Sequence, residues 1–194
     1  FPQKTEKIRF EIIKYDDDLN MLWLKTTDAS IKFISQLKEG GFIAVGSYWG
    51  YLEDLTSTGG QDSIVVKYDK DGNMLWQKSY GGTGDDYFNS TMQTQDGYFI
   101  AVGSSSSTDI EGLPNKGVID AVIVKYDKDG NMLWQKSYGG TGADYFNSVI
   151  QTQDGYFIAV GSSSSTDIEG LTNKGGGDAI IVKYSMEYEL ENVT

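Results

Sequence analysis

The chain has 194 residues, enough for one domain with a sizeable core, and its 16 basic and 28 acidic residues give a net charge of −12. That balance argues against a nucleic-acid partner or an anionic membrane surface, since both demand a basic face. There is no cysteine and no histidine, which excludes disulfides, thiolate chemistry and triads built on Ser-His or Cys-His, and removes the commonest zinc ligand and general base.

No stretch is apolar enough to insert as a membrane-spanning helix. With Phe1 in place of an initiating methionine, the sequence reads as a mature or excised fragment.

In chain order, Arg9–Trp23 (RFEIIKYDDDLNMLW) and the run GGFIAVGS at 40–47 form a diverged, shorter copy of the units downstream. Residues 62–119 and 120–177 are nearly the same sequence, differing at only nine of 58 positions (63, 64, 65, 85, 91, 92, 114, 118 and 119). A further copy opens at Asp178 with DAIIVKY and gives way to a divergent tail. The chain therefore divides into 9–61, a diverged half unit plus the first strands of the next, the repeats 62–119 and 120–177, and the partial unit 178–194. A period of this size marks a repeat architecture, in which each unit buries its apolar faces against its neighbours.

Within a repeat the apolar residues alternate or run in short blocks, which predicts strands rather than helices. Strands are expected over Asn89–Gln95 and Tyr98–Ser104, joined by Asp96-Gly97, and over Ala121–Tyr126 and Met132–Ser137, joined by Lys128-Asp129-Gly130-Asn131. Between the hairpins lies a loop rich in Ser, Gly, Asp and Asn (105–119). A glycine-rich crossing, 80–87, leads into the next unit. The runs IVVKY, VIVKY and IIVKY are apolar at nearly every position before Lys, as strands covered on both faces are. Four antiparallel strands with two tight hairpins and one long connection make a propeller blade. Solenoid rungs are shorter and sandwiches longer. The expected fold is all-β, a propeller-like array of about three and a half four-stranded blades. The last strand would have to come from Met186–Val193. Because an open blade exposes a strand edge, the array is expected to be part of a longer ring, or a ring completed by self-association.

The segments GGTGDDY (81–87), QDGYFIAVGSSSSTD (95–109), GGGDAIIVKY (175–184) and DKDGNMLW (127–134) resemble the bacterial seven-bladed β-propeller repeat, the SBBP-type repeat. The resemblance covers roughly residues 9–184. It implies a propeller fold and an exported or cell-surface setting, but no substrate, because propellers host unrelated functions. Leu19 departs from the pattern where later copies have Gly72 and Gly130.

Candidate chemistry is sparse. Asp69, Asp71 and Asn73, and Asp127, Asp129 and Asn131, share the D-x-D-x-N spacing that opens calcium loops. The residues that would complete such a loop are replaced by Met74 and Tyr80, so a turn in which Asp and Asn bond the backbone and Trp76 or Trp134 packs beneath is the competing reading. Gly81–Asp86 lacks the lysine and helix of a phosphate cradle and reads as a turn between units. Asp86 persists as Asp144 where Asp85 becomes Ala143, so Asp86 is expected to make the structural bond, to a neighbouring blade. Asn89-Ser90-Thr91 fits a glycosylation sequon, of little meaning in a bacterial protein.

The first long loop differs from the others. Tyr48, Trp49 and Tyr51 replace serines and are followed by Glu53 and Asp54. Clustered aromatics beside carboxylates can stack on sugar rings or anchor a protein; the alternative is that they cap an exposed blade end. The expected function is a non-catalytic extracellular binding or scaffold module presenting these loops to a glycan or protein. Two alternatives are a carboxylate-based glycoside hydrolase, for which the repeats supply no unique acid pair, and a ligand-free spacer.

Overall fold

Tight turns divide the chain into meandering sheets. The computed structural model describes residues 9–168, 172–173 and 175–185, which form thirteen strands and no helix. Strands β1 (Phe10–Tyr15) and β2 (Met21–Thr27) pair as a hairpin. Strands β3 (Ser30–Gln36), β4 (Phe42–Leu52), β5 (Leu55–Tyr68) and β6 (Met74–Tyr80) form a four-stranded antiparallel sheet in sequence order. A second such sheet contains β7 (Asp86–Gln93), β8 (Phe99–Ser105), β9 (Asp120–Tyr126) and β10 (Met132–Tyr138). Strands β11 (Asp144–Gln151), β12 (Phe157–Ser163) and β13 (Asp178–Tyr184) make a three-stranded sheet. The fourth strand expected at Met186–Val193 lies outside the described residues.

The turns form where the residues demand them. Gly97 and Gly130 adopt φ of 86° and 81°, a region closed to most side chains. Their amides donate back to the carbonyls of Thr94 and Asp127 at 3.1 and 3.2 Å. Each sheet is offset from the sequence repeat: β7 and β8 come from the copy at 62–119, β9 and β10 from the copy at 120–177. First strands begin earlier than the apolar pattern indicates, at Asp86 rather than Asn89, because a bulge between Phe88 and Ser90 extends the pairing.

The sheets stack face on face, with β7 against β3 and β11 against β7. Three apolar clusters fill the seams. The first joins Ile12 of β1 to Ala44, Ile64 and Val66. In the second, Ile43, Val45 and Val65 meet Phe88, Phe99, Ala101, Val122 and Val124. In the third, Ile100, Val102, Ala121 and Ile123 meet Phe146, Val149, Phe157 and Ala159. Side chains alternate between the two faces of a strand, so β8 and β9 contribute to two seams, and every residue of each is buried. No closed ring of sheets is present among the described residues. None of their elements is a helix long and apolar enough to cross a membrane, which does not bear on insertion by strands.

Candidate functional site

The segment expected as an aromatic loop is a hairpin. Strands β4 and β5 run past the rest of their sheet and turn at Glu53-Asp54, where Glu53 adopts φ of 50°. Pairing continues through Tyr51–Thr56 and Leu52–Leu55, with an irregularity at Gly50 opposite Ser57–Gly60. Strand alternation then separates the candidate residues. Tyr48 and Leu52 face inward at 3% and 5% exposure, and Trp49 and Tyr51 face solvent at 76% and 74%. The Tyr48 hydroxyl shares a 2.8 Å hydrogen bond with Ser79, and burial raises its pKa. Tyr48 is therefore a packing residue, and only Trp49 and Tyr51 offer ring faces. Glu53 accepts a hydrogen bond from Gln77 Nε2 at 3.2 Å; Asp54 is exposed at the turn. An open cleft of about 620 Å³ lies beside the tip, lined by Arg9, Lys25, Asp28, Glu53, Asn73 and Gln77 among others. Trp49 and Tyr51 do not line it.

In the D-x-D-x-N turns the leading carboxylate is occupied by its own turn. Asp69 Oδ1 accepts from the amides of Asp71 and Asn73 at 2.8 and 2.9 Å, and Oδ2 from Asn73 Nδ2 at 2.9 Å. Asp127 makes the same three bonds with Asp129 and Asn131, and Asp16 repeats them with Asp18 and Asn20. These bonds, the asparagine side chain's first, hold all three carboxyls below the usual carboxylate range. Asp71 pairs with Lys70 at 2.8 Å. Among the described residues no three acidic side chains converge as a metal cluster. On the turns at Asp69 and Asp127 the tryptophan that packs comes from the preceding sheet: Trp23 lies on Gly72, Trp76 on Gly130, and Trp76 Nε1 donates to the Lys128 carbonyl at 3.1 Å. These turns therefore join successive sheets.

Four successive amides of the glycine-rich crossing are already taken and not free to bind an anion. Those of Gly82, Thr83, Gly84 and Asp85 donate to Asp86 Oδ2, Asp109 Oδ1, Ser107 Oγ and Ser106 Oγ at 2.7–3.0 Å. Asp86 bonds within its own unit, contrary to expectation. The variable Asp85 reaches the preceding sheet, accepting from the Gln61 amide at 2.9 Å. Where Ala143 replaces it, a short parallel bridge to Ile119 substitutes. Asn89 of the sequon is committed to a seam, its Nδ2 donating to the Phe146 carbonyl at 2.9 Å.

Sequence reasoning singles out Asp86 and Asp144 but misses Asp62 and Asp120; all four carboxyls are buried, none more than 1% exposed. The signal was a polar residue opening each otherwise apolar strand run. Asp62 and Asp86 flank Gly81, and Asp120 and Asp144 flank Gly139. Burial, reinforced by the neighbouring carboxylate, raises the pKa of Asp62 and Asp120. No protein-family model matches the chain, and no curated protein is significantly similar to it.

Proposed function

We propose that this chain is a non-catalytic binding and scaffold module, a propeller-type array of SBBP-like blades in an exported or cell-surface setting. The stacking of first strand on first strand supports the radial reading, because blades around an axis meet at their innermost strands. The observation that carries the binding role is the pair of ring faces at Trp49 and Tyr51, three-quarters exposed on a protruding hairpin. Large aromatic faces left in water with acceptor groups nearby suit the apolar faces and hydroxyls of a sugar, or an anchoring side chain of a protein partner. The stiff strands beneath them keep the entropic cost of binding low. Self-association that completes a ring is the partner reading for the two ends of the stack, where the described residues form only a two-stranded and a three-stranded sheet.

A glycan array read alongside thermal unfolding tests this. Trp49→Ala and Tyr51→Ala should abolish the array signal and leave the unfolding midpoint unchanged. A lowered midpoint would make the rings a cap instead, and turnover of a polysaccharide would replace the binding module with a hydrolase.

A further inference from the structure

A buried carboxylate costs several kcal/mol unless charges and hydrogen bonds compensate it. At each of the two seams that join the larger sheets, two such groups face one another, one from each sheet. Asp62 in β5 uses only Oδ2, accepting from the Thr58 amide and hydroxyl at 3.1 Å each and from Ser79 Oγ at 3.4 Å. Asp86 in β7 also uses only Oδ2, accepting from the Gly82 amide at 3.0 Å and Ser107 Oγ at 2.7 Å. The second seam repeats this. Asp120 Oδ2 accepts from the Lys116 amide at 2.9 Å, and Asp144 Oδ2 from the Gly140 amide at 3.1 Å and Ser165 Oγ at 2.6 Å. All four Oδ1 atoms are buried without a hydrogen-bond partner.

Two further observations mark a place for a ligand. The Tyr80 hydroxyl, on a side chain 6% exposed, is also buried without a partner, and it senses the Asp86 charge. The glycine between the carboxyls leaves a cradle. A Cβ on Gly81 would lie 2.7 Å from Asp86 Oδ2 and 2.9 Å from Asp62 Oδ1. On Gly139 it would lie 2.6 Å from both Asp120 Oδ1 and Asp144 Oδ2. Any larger residue would fill the gap between the acids.

We propose that each aspartate pair, Asp62 with Asp86 and Asp120 with Asp144, binds a divalent, oxygen-liganded cation of the calcium class that ties one sheet to the next. Two adjacent carboxylates in a dry seam repel each other, and neither pair has a salt-bridged base among the described residues; the Lys116 charge acts on Asp120 without an ion-pair contact. A shared proton would leave one of the two charges buried; a divalent cation neutralises both. Calcium accepts carboxylates from separate elements and completes its shell with neutral oxygens such as hydroxyls and backbone carbonyls. The donors here are oxygens throughout, and the site is distinct from the D-x-D-x-N turns, whose leading carboxylates are already taken.

The test is calorimetry and thermal unfolding of the chelator-treated full chain titrated with calcium chloride, with terbium luminescence as a second readout sensitised by Tyr80. The expected result is one ion per aspartate pair and an unfolding midpoint that climbs with the logarithm of calcium concentration. Asp86→Asn and Asp144→Asn, which keep the shape, should each remove one ion, as should Gly81→Ala and Gly139→Ala where they fold. Asp69→Asn and Asp127→Asn should leave the stoichiometry intact. No calcium response in either readout overturns the proposal. So does a response that survives the aspartate substitutions, or stabilisation by acid with no effect of metal, which would assign a shared proton to the seam.

Discussion

The heptapeptide Phe-Ile-Ala-Val-Gly-Ser-Ser occurs as β8 and again as β12, and its two copies have different surroundings. In β8 all seven residues are buried, whereas in β12 Val160 is 37% exposed where its counterpart Val102 is fully buried. One strand further on, Ile123 is sealed and its counterpart Ile181 is 75% exposed. The sequences match; the difference is a following sheet. β11 and β12 cover the outer face of β8 and β9, and among the described residues nothing covers the same face of β12 and β13. Burial in a repeat protein belongs to the stack rather than to the unit.

Substituting both members of a pair separates the two surroundings. Ile123→Ala should cost about 2–5 kcal/mol, the range for deleting a buried branched side chain. Ile181→Ala should stay within about 0.5 kcal/mol, as exposed substitutions do. Urea midpoints at constant slope measure both. Equal losses would mean that a further surface covers β13.

The buried acids give a second contrast, with the exposed turn acids. Asp62 and Asp120 have carboxyl pKa values raised on folding. Their contribution to stability is complete below the unfolded carboxylate value of about 3.9 and is lost as pH rises through the raised folded value. Asp16, Asp69 and Asp127 are shifted down, so theirs holds above that value and is lost as pH falls through the lowered one. In metal-free buffer Asp62→Asn should flatten the decline on the alkaline side, and Asp69→Asn the decline on the acid side. Denaturation midpoints across a pH series check both.

Smaller effects are expected from the cross-seam hydrogen bonds. The amide of Lys38 donates to Gln93 Oε1 at 2.9 Å, and at the next seam the equivalent amide of Gln95 donates to Gln151 at 2.7 Å. Asn89 bridges to Phe146, whereas its counterpart Asn147 is exposed. Asn89→Ala should cost about 0.5–1.5 kcal/mol, the net value of one hydrogen bond, and Asn147→Ala close to nothing. Trp49→Ala should likewise have little effect, within about 0.5 kcal/mol for a side chain left in water.

Much of the fold was legible because its determinants are local. The Gly97 and Gly130 turns, the alternation of β7 and the unbroken apolar run of β9 each follow from a few adjacent residues. The hairpin of β4 and β5 was not legible. Tyr48 at its base bonds Ser79 two strands away, and YWGY carries the loop signal of a glycine among aromatics. The same limit applies to Trp76, whose partner is a turn some fifty residues later. The aspartate pairs were hidden as well, because Asp62 and Asp86 belong to different sheets and meet only once the stack has formed. At the candidate site, the exposure of Trp49 and Tyr51 followed from strand alternation, which becomes visible only when the segment is known to be a strand.

Hydrogen exchange of the repeated heptapeptide in dilute solution tests the stack most directly. Peptic fragments reaching back to Met92 or Ile150 separate the two copies by mass. Face-on-face stacking predicts slow exchange across β8, covered on both sides, and faster exchange across the identical residues of β12. Equal protection in the two copies would contradict it.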